Sequence, residues 1–432
     1  MVETKTVKFD KPVVNGSVKV PGDKSISHRA IMLGSIAEGR TVIKGFLDGE
    51  DCLRTIEIFK RLGVFIDRIG TDVVVESPGI RNWKTPTEEL YAGNSGTTAR
   101  LMLGILSSST VTSTLTGDES LSKRPMKRVT IPLQSMGASI SGGEYLPLTI
   151  SGSMLKGIDY TMPVASAQVK SAILFAGLGA DGKTSVRETA VSRDHTERML
   201  KQFGATVEQD KGTVSIQGGQ VLKGTNVTVP GDISSAAFFM AAAAMIEGSE
   251  VEFVDVGLNP TRTGIIEVLR KMGAKVEIVE QNGEIGEPYG IVKVSHAPLK
   301  GIEISGDIIP TLIDEIPIIA LLATQAKGTT IIKDAEELRV KETDRIAAVT
   351  EELTKLGADV EATEDGMIIK GPTVLSGAEL KSYGDHRIGM MAAIAALLTD
   401  GPVQVEDTSC IAISYPNFFD HLTKLVLNGD QE

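Results

Sequence analysis

Apolar residues in this 432-residue chain fall into short dense runs, each closed by a polar–Gly turn and followed by a β-rich stretch. Ala30 to Gly39 precedes Thr41 to Ile43, and Ala172 to Leu178 precedes Thr184 to Arg187. Ala236 to Gly248 precedes Val251 to Val254, and Ile318 to Gly328 precedes Thr329 to Ile332. The longest run, Ala236 to Ile246, is about half the length needed to span a bilayer and predicts a helix buried in a core.

A second pattern repeats between these runs. Five times a helical stretch closes on an apolar residue, Gly and then Ala or Val, before another strand-like stretch. The closing glycines are Gly63, Gly137, Gly204, Gly273 and Gly357. Glycine just past a helix adopts the left-handed conformation that caps a C-terminus, so each marks a helix end. The interval is roughly seventy residues, too long for a solenoid repeat and suited to a small subdomain. A sixth copy, Ile388 to Gly401 followed by Val403 to Val405, lacks the closure and runs out through Phe418 to Leu427. Six strand–helix–strand–helix–strands units fit the length, three to a domain. The junction falls near Asn226 to Gly231, where Val229-Pro230-Gly231-Asp232 echoes Val20-Pro21-Gly22-Asp23.

Composition narrows the function classes. A formal net charge of −12 disfavours a protein that coats nucleic acid or an anionic membrane. An anionic ligand must then be caught by local cations. The two cysteines, Cys52 and Cys410, lie far apart and offer neither a disulfide framework nor metal-ligand spacing. With no signal-peptide core in Met1 to Lys11, the expectation is a soluble, cytoplasmic protein.

Gly177-Leu178-Gly179-Ala180-Asp181-Gly182-Lys183-Thr184 matches both the P-loop and the dinucleotide glycine patterns. Both need a strand before the glycines and a helix after them, because the helix start holds the phosphates. Here the order is reversed, so the segment reads as a helix-to-strand turn.

Five other segments set cations beside Gly, Ser or Asp. Pro21 to Arg29 puts Ser25 and Arg29 on one helix face, where free N–H groups would add to the pull on an anion. Gly93 to Arg100 is small enough for a ligand to approach the backbone. Asp118 to Met126 is a charged loop. Leu338 to Arg345 on a helix would align Lys341 with Arg345 and set Glu342 between cations, as a proton-transfer group requires. Gly384 to Arg387 precedes an apolar helix, with His386 a candidate cap. Singly, each is equally a capped helix, a Gly-rich turn or a surface ion-pair ladder. Together, each near a helix start of a repeat unit, they predict a basic cleft for small, multiply anionic substrates.

Gly22 to Arg29, Gly93 to Arg100, Arg339 to Arg345 and Asp385 to Arg387 resemble the signatures of the 5-enolpyruvylshikimate-3-phosphate (EPSP) synthases, in family order over nearly the whole chain. Ser120 to Met126, Ser166-Ala167-Gln168 and Ser192 to Thr196 resemble the bacterial class II subgroup. The resemblance implies a two-domain, inverse α/β barrel-like fold, each domain three βαβαββ units about a pseudo-threefold axis. It implies an N-terminal domain over 21–228, a C-terminal domain of 1–20 and 229–432, and an active site in the cleft between them. It also implies a monomeric transferase without metal or organic cofactor, whose partners are small anionic substrates rather than nucleic acid or membrane.

By the same resemblance, phosphoenolpyruvate contacts fall to Lys24, Gly96, Arg124, Gln168, Arg345 and Arg387. Shikimate 3-phosphate contacts fall to Lys24, Ser25, Arg29, Ser166, Gln168, Ser192, Arg193, Asp314 and Lys341. Asp314 and Glu342 are implied as general acid and base, with Lys24 stabilising charge and relaying a proton. Three positions depart from the pattern. No Lys stands in Cys410 to Pro416, where many members place a phosphoenolpyruvate ligand, and Ala167 and Glu337 replace a Ser and an Asn of the other subgroup. The nearest rival is an enolpyruvyl transferase acting on UDP-N-acetylglucosamine, which usually carries a reactive Cys or Asp on a mobile loop. An RNA 3′-phosphate cyclase and a non-catalytic anion-binding protein are the readings from other classes.

Overall fold

A computed structural model describes residues 3–282 and 286–427. The chain divides into two compact units, one of residues 22–229 joined by 286–287, the other of residues 3–21, 230–282 and 288–427. Among the described residues, six small sheets form, three in each unit.

One motif builds all six. In the unit of residues 22–229, strand Leu90–Tyr91 leads into helix Gly96–Ser107 and strand Thr112–Thr116, which lies parallel to it. Helix Lys127–Ser135 follows, and the hairpin of Ser139–Ser141 and Leu148–Ser151 returns antiparallel to Thr112–Thr116. The sheet of Asp159–Thr161, Lys183–Arg187, Thr213–Gln217 and Val207–Asp210 repeats this order. The third sheet takes its first strand, Asn226–Thr228, from the far end of the unit and pairs it parallel with Glu38–Lys44.

The other unit borrows in the same way. Strand Asn15–Val18 lies parallel to Glu250–Gly257, and strand Thr4–Val7 lies antiparallel to Val403–Glu406. The second borrowing completes the sixth copy, which has no closing hairpin of its own: Thr4–Val7 occupies the edge opposite Glu379–Lys381.

Two kinds of helix serve the motif. The first helix of each copy is enclosed; helix Ile233–Met245 has nearly every side chain buried, as an apolar sequence without a polar stripe requires. The second is amphipathic, as in Glu50–Arg61 and Gly264–Met272. All five closing glycines have positive φ, from 89° at Gly63 to 106° at Gly273, so each turns its helix into the next strand. Each unit has its own apolar core around its three enclosed helices. No helix among the described residues is long and apolar enough to cross a membrane.

Gly104 lets two enclosed helices of the 22–229 unit approach closely. A methyl added there would stand 2.1 Å from the carbonyl oxygen of Ala172. This contact fixes helix Gly96–Ser107 against helix Ala167–Leu178, and with it the chemistry at their starts.

Candidate active site

In the unit of residues 22–229, the three enclosed helices begin with side-chain caps. Asp23 accepts from Ile26 N at 2.9 Å, Ser95 from Thr98 N at 3.2 Å, and Ser166 from Val169 N at 3.4 Å. Side chains of the first turns then tie the helices together. Arg29 donates from Nε to Thr196 Oγ1 at 2.7 Å and from Nη2 to Ser171 Oγ at 2.9 Å, while its Nη1 reaches Ser25 O at 3.0 Å. Arg100 donates to Gln168 Oε1 at 2.7 Å, and Gln168 donates to Thr97 Oγ1 at 3.1 Å. Thr98 and Thr55 share a hydrogen bond of 2.8 Å, and Thr55 pairs with His28 Nδ1 at 2.8 Å.

Cations gather at this end. Lys24 Nζ stands 2.5 Å from Asp51 Oδ2. Arg124 donates to Asn94 Oδ1 at 2.7 Å, and Asn94 in turn donates to Asp118 at 2.8 Å. Gly96 lies between two guanidiniums: a Cβ there would sit 3.1 Å from Arg100 Nη1 and 3.6 Å from Arg124 Nη1. Burial draws the Arg29 pKa down to about 10, opposed by Glu197, Asp23 and Glu287 and aided by Arg193; the cation persists at neutral pH. Arg29 still has N–H donors to spare, since a guanidinium carries five.

Behind these groups lies a buried ionic cluster. Lys170 Nζ is 2.9 Å from Glu188 Oε2 and 2.7 Å from Glu197 Oε1. Burial acts to lower the lysine pKa, but Glu197 and Glu188 outweigh it and hold the ammonium above its ordinary value.

The other unit centres on Arg345, which is 2% exposed. Its Nε donates to Asp385 Oδ2 at 2.8 Å, Nη1 to Asp314 Oδ1 at 3.1 Å, and Nη2 to Glu342 Oε2 at 2.8 Å. Burial alone would lower its pKa; the three carboxylates outweigh burial and raise it above the ordinary arginine value. Lys341 Nζ approaches Asp314 at 3.9 Å and Glu337 at 3.6 Å. Arg387, in the first turn of helix His386–Ala395, lies 3.7 Å from the fully buried Glu315, which also faces Arg262 at 3.9 Å. Ser234 bridges these two, donating to Glu315 and accepting from Arg262.

Each unit therefore assembles its own share of the expected residues. Lys24, Ser25, Arg29, Gly96, Ser166 and Gln168 stand at three linked helix starts. Arg124, Ser192 and Arg193 lie on loops ahead of amphipathic helices. Asp314, Glu342, Arg345 and Lys341 form one cluster, with Arg387 two residues past the Asp385 that cradles Arg345.

Two local expectations fail. Lys341 and Glu342 are not on a helix; Asp344 caps the helix that starts at Arg345, accepting from Ala347 N at 3.1 Å, and Lys341 is extended. Glu342 still meets Arg345, because the turn ahead of the cap folds back over the first helical residue. His386 is not a cap either: Asp385 fills that role, accepting from Arg387 N at 2.8 Å, and His386 is the first helical residue.

Asp51, Asp385, Arg100 and Arg262 are polar partners that carry little signal in the sequence. Asp51 sits in the first turn of helix Glu50–Arg61, where carboxylates are ordinary dipole partners. Asp385 and Arg100 lie inside motifs without distinguishing marks. Arg262 follows Pro260-Thr261, far from any cluster, and has no local signal.

The sequence profile of the EPSP synthase (3-phosphoshikimate 1-carboxyvinyltransferase) family matches residues 10–422. The 3-phosphoshikimate 1-carboxyvinyltransferase of Bacillus pumilus (strain SAFR-032) is 59% identical over 416 residues, covering 95% of this chain and 97% of that relative. Its counterpart in Bacillus subtilis (strain 168) is 57% identical over 424 residues, covering 97% and 99%. Among solved structures, EPSP synthase from Acinetobacter baumannii matches with a TM-score of 0.90 and 44% identity, covering 99% of both chains.

Proposed function

This chain belongs to the EPSP synthase family of transferases, and from that premise we propose how its residues divide the reaction. The activity is that of a 3-phosphoshikimate 1-carboxyvinyltransferase: the enolpyruvyl group of phosphoenolpyruvate passes to the 5-hydroxyl of shikimate 3-phosphate, and phosphate is released.

Both substrates are small and multiply anionic. Lys24, Arg124, Arg345 and Arg387, with the backbone at Gly96 and the Gln168 amide, bind phosphoenolpyruvate. Ser25, Arg29, Ser166, Gln168, Ser192, Arg193 and Lys341, with Lys24, bind the phosphate, carboxylate and hydroxyls of the acceptor. Asp314 orients the acceptor hydroxyls. Helix starts suit this task, because their N–H groups point at the anion.

The 5-hydroxyl oxygen attacks C2 of phosphoenolpyruvate and gives up its proton to a carboxylate, while C3 gains a proton. A tetrahedral adduct results. A proton then leaves C3, the C2–C3 double bond reforms, and the C2–O bond to phosphate breaks. Asp314 and Glu342 are the proton-transfer groups, and Lys24 offsets charge on the departing phosphate. The carrying observation is that both carboxylates close on one buried guanidinium, Arg345. That pairing fixes the position of both carboxylates, so each is held at a set place for proton transfer.

Phosphate release from phosphoenolpyruvate, followed with shikimate 3-phosphate and separately with UDP-N-acetylglucosamine, tests this reading. Release with the first acceptor alone is expected; release only with the second would overturn it. The same reading takes the protein to be a cytoplasmic monomer.

A further inference from the structure

Segment 189–193, which carries Ser192 and Arg193, has no helical or strand bonding of its own. It is held instead by the buried cluster behind it. Glu188 Oε1 accepts from Ser192 N at 3.2 Å and from the Ser192 hydroxyl. Lys170 Nζ donates to Ser192 O at 3.4 Å while also bonding Glu188 Oε2. The amide, the hydroxyl and the carbonyl of Ser192 are thus all taken by two side chains. Those side chains are 1% exposed at Lys170 and 6% at Glu188, whereas the neighbouring Val191 is 63% exposed.

The cluster joins the elements that carry the acceptor contacts. Lys170 stands one turn into helix Ala167–Leu178, just past Ser166 and Gln168. Glu197 belongs to helix His195–Gln202, beside the Thr196 that accepts from Arg29. Within it Lys170 faces both Glu188 and Glu197, and the charge of Glu197 also acts on Arg29. A buried ion pair adds little net stability over apolar packing, because desolvation cancels most of the attraction. What it supplies is a fixed geometry, enforced because any loosening strands a buried charge.

We propose that Glu188 is a positioning residue: with Lys170 it locks the Ser192 backbone so that the adjoining Arg193 is preset for the acceptor phosphate. The inference rests on the functional reading above and adds to it a determinant of acceptor affinity that never touches substrate. Preset donors avoid the ordering cost that a loose loop would meet on binding.

Glu188→Gln removes the charge and keeps the shape. The expected result is a KM for shikimate 3-phosphate raised about tenfold. The KM for phosphoenolpyruvate and kcat should stay within about twofold of the parent protein. An unchanged acceptor KM, or a parallel loss for both substrates and kcat, would overturn the proposal. If Glu188→Gln does not fold, amide exchange in the unsubstituted, substrate-free protein decides instead. The Ser192 amide should exchange at least about tenfold slower than in an open chain, and free exchange there would overturn the idea. Absence of turnover in the unsubstituted protein would remove the functional reading and this inference together, whereas normal turnover with an insensitive Glu188→Gln removes only the inference.

Discussion

Asp385 grips Arg345 with both carboxylate oxygens, Oδ2 to Nε at 2.8 Å and Oδ1 to Nη2 at 3.3 Å, and the same Oδ1 accepts from Arg387 N at 2.8 Å. One side chain therefore orients a guanidinium and caps the helix that presents Arg387. Breaking a buried pair costs about 3–5 kcal/mol, and since Arg345 keeps Asp314 and Glu342 the low end applies here. Asp385→Ala should lower unfolding stability by about that much in a urea titration. Asp385→Asn keeps a capping oxygen and should recover about 1 kcal/mol of the loss.

Glu342 differs from Asp385 in exposure: its side chain is 32% exposed against 0% for Asp385. Glu342→Gln should leave thermal unfolding nearly unchanged. A proton-transfer group contributes about 10²–10⁴-fold, so kcat should fall at least about a hundredfold. Full turnover in this variant would remove Glu342 from the proton-transfer scheme.

His28 gives a pH signature. It is fully buried, with Nδ1 on Thr55 and no partner for Nε2 among the described residues. Burial lowers its pKa from 6.5 to about 3, with Asp51 opposing and Lys24 and Arg29 adding to the effect. The unfolded chain therefore takes up this proton first. The stability from keeping His28 neutral is complete above about pH 6.5 and is lost as pH falls towards 3. Between pH 6 and 4 the contribution should approach about 1.4 kcal/mol per pH unit. His28→Gln should flatten that part of the stability–pH curve, measured by denaturant titration at a series of pH values.

Gly104→Ala tests the close helix approach. In an exposed helix the change would stabilise by about 1 kcal/mol. Here the added methyl meets the Ala172 carbonyl at 2.1 Å, so the helices must separate. Overpacking of this kind costs about 1–3 kcal/mol, and the sign should reverse to a loss. Because Gln168 bonds Arg100 and Thr97 across the same helix pair, turnover should fall with stability.

Much of this fold is local, and local features are legible. Gly63 and its four counterparts end helices because a left-handed turn needs glycine, and that requirement is written at one position. Ala236 to Ile246 is buried because it has no polar face to offer water. The charge spacing places Lys341 and Glu342 on a helix, although Asp344, a good capping residue, marks the true start one residue before Arg345. Asp51 on Lys24 and Arg262 near Glu315 are pairings between distant segments, which no local pattern encodes. The cation-bearing segments of each unit are readable as motifs, but the carboxylates that orient those cations are not.

Residues Thr4–Val18 are synthesised well before the strands they pair with, Glu250–Gly257 and Val403–Glu406. During translation the 22–229 unit can close its three sheets from its own residues, while the earlier segment waits with two unpaired strands. Domains generally fold as units as they emerge, and unpaired strands invite wrong partners. The last unit to mature thus begins with the segment made first. A ribosome that pauses between residues 230 and 400 would prolong the exposure of those waiting strands, which makes elongation speed in the second half a determinant of yield.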